Sequence, residues 1–188
     1  MNAYIIRFSI ILGLCMVLGY IGCTTTTKQS QTMPGIVQAD TNNGNIILPV
    51  GFGAAVVADD LGRVRHVAVR DNGDIFVKVR KLTEEGHGII GLRDSDGDGR
   101  ADERVSFGDF VGTGIHIYNN YLYASSDTGV YRYAFNGDAL QPSATREDIA
   151  IGFIKQGQHE GKSFTIDDSG NLFVNVGAPS NACQEKAR

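Results

Sequence analysis

One hairpin pattern occurs twice in this chain without a gap. His66–Val79 (HVAVRDNGDIFVKV) aligns with Ser163–Val176 (SFTIDDSGNLFVNV), and Ser163 lies 97 residues after His66. Both segments place alternating apolar residues on either side of an Asp/Gly/Asn turn, which is the pattern of two antiparallel strands. Between them, Ile115–Ser126 (IHIYNNYLYASS) repeats the pattern more loosely. Short strands that recur every 40–50 residues or so are typical of the blades of a β-propeller. Three unrelated hairpins with similar turns are the alternative.

The fold class follows from the same pattern. After the N-terminal apolar run the sequence shows no convincing amphipathic helix, so we predict an all-β protein. Residues 45–188 suffice for about three blades, whereas closed propellers have roughly four to eight. We therefore expect a partial β-propeller, the N-terminal part of a longer protein, that begins with a strand at Gly53–Ala58. We expect Arg80–Gly112 to be an extended excursion between hairpins.

The N-terminus resembles a lipoprotein signal. Phe8–Gly22 is an uncharged apolar run that follows Arg7, too short for a membrane-spanning helix of about 20 residues but suited to a signal peptide. Gly22 precedes Cys23, which would carry the lipid. Ordinary secretion or an uncleaved anchor are the alternatives. The predicted division is a signal peptide at 1–22, a flexible polar tether at 23–45, and the propeller domain at 46–188.

Charge and cysteine content restrict the compartment and the partners. The chain has 17 basic and 21 acidic residues, and it has no basic patch, which disfavours nucleic-acid binding. Thr24, rather than Asp, follows Cys23 and favours the outer membrane. We predict an exported protein, lipid-anchored in the cell envelope and facing the periplasm. Cys183 alone remains outside the signal and lipidation box, so its partner would lie elsewhere.

An acidic loop predicts a calcium site. Asp94, Asp96, Asp98 and Asp102 lie in the pattern D-x-D-x-D-G-x-x-D, and alternating carboxylates supply the oxygen ligands that Ca²⁺ requires. Val105 occupies the position of the bidentate Glu in an EF-hand, so we expect an isolated calcium loop with a structural role. A solvated Asp/Gly turn is the alternative.

A histidine beside the third hairpin marks a candidate site. His159 precedes the first strand of that hairpin, and the polar loop at 178–184 follows the second. Since both emerge from the same end of a hairpin, we expect them to face each other across one rim, where β scaffolds often carry function. Taken alone, the position of His159 favours a rim histidine that bonds a neighbouring loop.

Four motifs together resemble the glucose/sorbosone dehydrogenase family. They are L-x-x-G-F at Leu48–Phe52, the first hairpin, the acidic loop, and H-x-x-K-[SN]-F…G-N-L-[FY]-V-x-V-G from His159 to Gly177. Members are exported six-bladed β-propellers that use pyrroloquinoline quinone (PQQ). The resemblance implies that this chain is about three blades of a six-bladed propeller.

The resemblance also implies roles for residues. His159 would be the general base that takes the hydroxyl proton while hydride passes to PQQ. Gln184, and less clearly Asn181, would lie near the substrate, and Lys162 replaces an arginine common in the family. The implied cofactors are PQQ and Ca²⁺, and the implied substrate is a small sugar or aldehyde; the electron acceptor is not indicated. Since later blades supply most quinone contacts, we expect this chain to be inactive alone. A non-catalytic, calcium-stabilised propeller lipoprotein that binds a glycan or protein is the alternative.

Overall fold

The computed structural model describes residues 37–155 and 157–178. These ranges contain one 3₁₀ turn, Asn43–Asn45, and no α-helix, so the all-β prediction is confirmed. No helix within the described ranges is long and apolar enough to cross a membrane. The ten strands are β1 (Val64–Val69), β2 (Ile75–Val79), β3 (Ile89–Arg93), β4 (Glu103–Phe107), β5 (Ile115–Tyr118), β6 (Tyr121–Ser125), β7 (Gly129–Ala134), β8 (Arg146–Ile151), β9 (Phe164–Ile166) and β10 (Leu172–Val174).

The strands form three antiparallel sheets in chain order. Sheet β1-β2-β3-β4 is blade 1, sheet β5-β6-β7-β8 is blade 2, and the pair β9-β10 is the described part of blade 3. The first strand of each blade contacts the first strand of the next, β1 with β5 and β5 with β9. Sheets that meet through their first strands in this way are the blades of a propeller. The predicted partial β-propeller is confirmed.

The repeat seen in the sequence is a repeat of strand register. Val67 pairs with Val77 in blade 1, and Phe164 pairs with Val174 in blade 3, so both partners are displaced by the same 97 residues. In blade 2 the hairpin turn is one residue shorter, because Asn119 and Asn120 adopt positive φ angles of 47° and 63° and close a two-residue turn. The alternative of three unrelated hairpins is wrong.

Apolar clusters fill the spaces between blades. Phe76, Ile89 and Phe107 from blade 1 pack against Leu122 and Tyr133 from blade 2. Each of these buried side chains contributes about 1.5–3 kcal/mol of transfer free energy relative to an exposed one. A second cluster, between blades 2 and 3, contains Tyr123, Val130, Phe164 and Ile166. Blade-to-blade packing therefore fixes where the loops at the blade ends lie.

Two details differ from the sequence prediction. The Arg80–Gly112 excursion contains β3 and β4, which complete blade 1. The strand prediction at Gly53–Ala58 is wrong, because the backbone of this segment bonds to loops instead of a neighbouring strand: the Val56 N–H donates to Asp40 Oδ2 over 2.9 Å. Asp40 and the turn after it thus contact the domain, whereas most of the predicted tether, the signal peptide and Cys23 lie outside the described residues.

Buried polar side chains also link consecutive blades. Lys78 on β2 and Ser125 on β6 lie 47 residues apart, the offset of blades 1 and 2. Lys78 Nζ donates to the carbonyl oxygen of Phe110 over 2.6 Å, and Ser125 Oγ donates to that of Lys162 over 2.6 Å. Each accepting carbonyl belongs to the segment that leads into the first strand of the next blade. These two links hold the segments that line the candidate site described below.

Candidate active site

One end of the three blades brings equivalent positions together. In each hairpin the start of the first strand lies beside the end of the second, because the two strands are antiparallel. Arg80, Asp127 and Gly177 follow the second strands of blades 1, 2 and 3 at the repeat offsets of 47 and 97 residues. All three line cavities at this end of the molecule.

Two adjoining cavities occupy this end. We call the one lined by Arg80, Asp127 and Glu160 the outer-wall cavity, and the one lined by Ser163, Asn175 and Gly177 the hairpin cavity. The outer-wall cavity has a volume of about 520 Å³, and the hairpin cavity, which reaches Asn175 and Ala178, has about 410 Å³. Both fall within the size range of small-molecule sites, about 300–1,000 Å³. They share four lining residues, Arg65, Thr113, His159 and Gly161.

His159 lies where the two cavities meet. It is solvent-exposed, and its φ of +51° is in the left-handed region that few non-glycine residues adopt. A β-carbon at Gly177 would lie 2.7 Å from His159 Cβ, so glycine is needed there for the close approach. The structure thus places His159 against the start of the polar loop that follows β10, as the hairpin argument predicts. The rest of that loop, including Asn181 and Gln184, lies outside the described residues.

Lys162 lies between two lining residues, Gly161 and Ser163, but does not itself line either cavity. Its side chain is fully buried, and Nζ donates to the carbonyl oxygen of Glu160 over 2.6 Å. Its own carbonyl accepts the hydrogen bond from Ser125. In these contacts Lys162 braces the segment next to His159. Its predicted contact with substrate or cofactor stays a prediction.

Several lining residues escaped the sequence reasoning. Arg65, Arg80, Thr113 and Asn175 line the cavities, but the sequence analysis identified none of them as a site residue; Asn175 occupies an unspecified position of the His159–Gly177 motif. For Arg80 a signal existed, because the repeat offset aligns it with the position just before the loop that faces His159. For the others, no pattern in the sequence shows which side chains turn toward the rim.

The acidic loop, away from these cavities, brings three carboxylates together. One oxygen from each of Asp94, Asp96 and Asp98 lies within 4.8 Å of the others. Both oxygens of Asp94 accept backbone hydrogen bonds, from Gly97 N over 2.7 Å and Gly99 N over 2.8 Å. Gly99 has a φ of +93°, a left-handed backbone that glycine adopts without strain in this turn. The loop is therefore folded with its carboxylates close enough to share one cation.

Asp102 has hydrogen-bond partners of its own in this loop. Its oxygens accept hydrogen bonds from Ser95 Oγ over 2.6 Å and from Ser95 N over 3.1 Å. These bonds lower the pKa of the Asp102 carboxyl, since they stabilise its charged form. Asp102 is not part of the group formed by the other three, and its predicted place as a fourth ligand stays a prediction.

The relationship to known proteins is clear at the level of family. The profile of the TrAA12-like family matches residues 46–188. The chain belongs to the TrAA12-like family. No curated protein sequence matches this TrAA12-like chain. The narrower resemblance to glucose/sorbosone dehydrogenases is not confirmed.

Solved structures share the fold of this TrAA12-like chain. The holo form of the pyranose dehydrogenase PQQ domain from Coprinopsis cinerea aligns with a TM-score of 0.56 and 19% identity, over 66% of this chain and 30% of that one. The calcium structure of the Trichoderma reesei Carbohydrate-Active Enzymes Family AA12 protein aligns with a TM-score of 0.53 and 22% identity, over 75% and 37%. Its iodide structure also gives 0.53, with 21% identity over 72% and 37%. The chain thus spans about a third of the length of these proteins.

Proposed function

We propose that this protein takes part in the quinone-dependent oxidation of a small sugar or a related aldehyde or alcohol, and that His159 is its general base. The observation that carries the proposal is the position of His159 at the junction of two cavities, at the end of a propeller where three blades converge. Two similarities support it: the family assignment, and the fold shared with a PQQ domain whose holo form is known.

The walls of the outer-wall cavity offer donors to an anionic, carbonyl-rich quinone, beside the carboxylates of Asp127 and Glu160. The Arg80 guanidinium and the Thr113 hydroxyl line the outer-wall cavity. Both can donate hydrogen bonds to carbonyl and carboxylate oxygens. When bound, PQQ would supply the two-electron acceptor that no side chain provides.

The residues of this chain would position the substrate and move its proton. An imidazole nitrogen of His159 accepts the proton of the hydroxyl group that becomes the carbonyl, while the hydrogen on the same carbon leaves with its electron pair. Hydroxyl and amide groups of Thr113, Ser163 and Asn175 offer hydrogen bonds to the other hydroxyls of a sugar. The Lys162–Glu160 and Ser125–Lys162 bonds keep the His159 segment in place.

Reconstitution tests this function. Because this chain is expected to be inactive alone, the full-length protein is purified and incubated with PQQ and Ca²⁺. Reduction of an artificial dye is followed with a panel of aldoses, ketoses, aldehydes and sugar alcohols. Quinone-dependent dye reduction with at least one of them is expected. Sugar binding without turnover in the PQQ-loaded protein would favour the glycan-binding alternative instead.

We also propose that Ca²⁺ binds the acidic loop and stabilises the N-terminal edge of blade 1. Arg100 Nη2 donates to Asp40 Oδ1 over 2.8 Å, and Ala101 N donates to the carbonyl oxygen of Val57 over 2.8 Å. The loop is therefore bonded at two points to the segment that precedes β1. A cation that orders the loop would also hold this segment.

The expected effect of calcium is a change in thermal stability. We expect this loop to bind Ca²⁺ with a dissociation constant of about 1 mM or less. At 10 mM, at least about ten times this value, Ca²⁺ stabilises the folded state by about 1.4 kcal/mol or more and should raise the melting temperature by several degrees relative to EGTA. The double variant Asp96→Asn, Asp98→Asn should lose the shift, whereas Asp71→Asn on the exposed turn between β1 and β2 should keep it. An identical shift in the double variant would rule out this loop as the site.

We propose, finally, that the protein is exported and lipid-anchored in the outer membrane through Cys23, as the N-terminal sequence predicts. Incorporation of a palmitate analogue in the producing cells, abolished by Cys23→Ala, is the expected result. Equal labelling of this variant would contradict the anchor.

A further inference from the structure

A β-bulge sets the position of Arg65. On β1, Val64 pairs with Val79 and His66 pairs with Lys78, so Arg65 is an extra residue with no partner on β2. A bulge bends its strand and redirects the side chain of the extra residue, and bulges are frequent next to active sites. The redirected side chain of Arg65 lines both cavities beside His159.

The hairpin cavity is lined by an arginine and by no carboxylate among the described residues. Among the residues described as lining it, Arg65 is the one with a permanent charge; the others are glycines, an alanine and the neutral polar residues Thr113, Ser163 and Asn175, together with His159. The carboxylates at this end of the molecule, Asp127 and Glu160, line only the outer-wall cavity.

The Arg65 guanidinium is solvent-exposed and has no ion pair or hydrogen bond within the described part of the chain. Structural arginines of this protein differ: Arg93 donates to Asp74 over 2.7 Å, and Arg132 to Glu147 over 2.7 Å. An arginine that faces a cavity without a carboxylate partner can accept one from a ligand.

We propose that the hairpin cavity binds a carboxylate group through Arg65. The planar guanidinium presents two parallel N–H donors to the two carboxylate oxygens, a geometry that lysine cannot reproduce. The carboxylate comes either from a sugar acid, which narrows the substrate class of the proposed function, or from the quinone itself. This inference rests on the proposed function, because it takes the hairpin cavity to be part of the active site. The cavity volume of about 410 Å³ accommodates a monosaccharide beside His159.

Three probes distinguish the sources of the carboxylate. Calorimetric titrations of the same full-length protein, with Ca²⁺ present, use D-glucuronate, D-glucose and PQQ as separate ligands. They are carried out on the wild-type protein, on Arg65→Gln, and on the matched control Arg63→Gln. Arg63 is an exposed arginine two residues earlier that lines a different cavity. Its removal changes net charge equally but leaves the hairpin cavity unaltered.

Loss of a charge-assisted pair should weaken binding at least about tenfold. If Arg65→Gln weakens glucuronate binding by this amount and leaves glucose binding unchanged, the carboxylate belongs to the substrate. If the loss falls on PQQ, it belongs to the quinone. A third outcome separates the two proposals. If glucuronate binding depends on Arg65 but the protein does not bind PQQ, the result supports the carboxylate subsite and contradicts quinone-dependent oxidation.

The proposal is overturned by any of three results. The wild-type protein binds neither carboxylate-bearing probe, or Arg65→Gln binds both as tightly as the wild type, or Arg63→Gln loses as much affinity as Arg65→Gln. A nearly unchanged melting temperature of Arg65→Gln, expected for an exposed side chain, separates lost contacts from misfolding.

Discussion

The variant His159→Asn is expected to lose quinone-dependent dehydrogenase activity, with kcat lowered about 10²- to 10⁴-fold. Asparagine adopts the left-handed backbone of position 159 more readily than most residues, so the φ of +51° is tolerated. Its amide cannot take up the hydroxyl proton at neutral pH. Since substrate contacts other than that of the imidazole remain, KM should change far less than kcat.

His87→Ala is the matched control for this loss. His87 lies in the loop between β2 and β3, it lines neither cavity, and the hydrogen bond there comes from its backbone N–H to Thr83 Oγ1. Its removal should leave kcat within about twofold of wild type, because the half-buried His87 side chain touches neither cavity. Full activity of the His159→Asn protein, measured by dye reduction with PQQ and Ca²⁺, would remove His159 from the mechanism.

Lys78→Ala is expected to destabilise the protein by about 3 kcal/mol or more. The lysine side chain is fully buried between blades 1 and 2. Its ammonium group donates to the Phe110 carbonyl oxygen over 2.6 Å and lies 3.9 Å from the centroid of the Phe110 ring. Truncation leaves a cavity and an unpaired carbonyl group in the segment that precedes the Val111–Thr113 wall of the site. Urea unfolding at constant pH measures the loss.

The same lysine is expected to make the stability of the protein depend on pH. Burial lowers the pKa of Lys78 to about 7 from its ordinary 10.5, although the charges of Asp109 and Asp127 act in the opposite direction. Between these two pH values the unfolded chain holds a proton that the folded chain has released. The free energy of unfolding should therefore rise with pH from about 7 upward, and the penalty for burying the charge applies fully below pH 7.

Lys78→Met isolates this effect, because methionine retains most of the apolar stem but cannot be charged. The difference in unfolding free energy between wild type and Lys78→Met should shift in favour of the wild type by several kcal/mol, at most about 5, between pH 6.5 and 10. A difference that stays constant with pH would show that the ammonium group is not buried as the structure describes.

The hairpins of this fold could be predicted from sequence because each combines alternating apolar residues with a turn that needs Asp, Asn or Gly. The third and fourth strands of blade 1 could not. Ile89–Arg93 contains Gly91, a residue that weakens the strand pattern. In the fold, a β-carbon at Gly91 would lie 2.8 Å from Val105 Cγ2, so close packing against β4 explains the glycine. That contact is tertiary, and local pattern does not reveal it.

The candidate site could likewise be predicted only in part. The antiparallel geometry of one hairpin suffices to place His159 opposite the loop that follows β10. Arg65 depends on a bulge, which changes the pairing of one residue and leaves no mark in the sequence. Thr113 reaches the same rim only because blade 2 packs beside blade 1, and the buried position of Lys162 likewise results from packing between blades.

We propose that the rim around His159 oxidises sugars through a bound quinone. Stopped-flow absorbance on the PQQ- and Ca²⁺-loaded protein tests it most directly, with a reactive sugar mixed in the absence of any dye. We expect the bound quinone to be reduced in a single turnover, more slowly when the reacting carbon of the sugar carries deuterium. A quinone that binds but stays oxidised with every sugar, aldehyde and alcohol of the panel would contradict the claim.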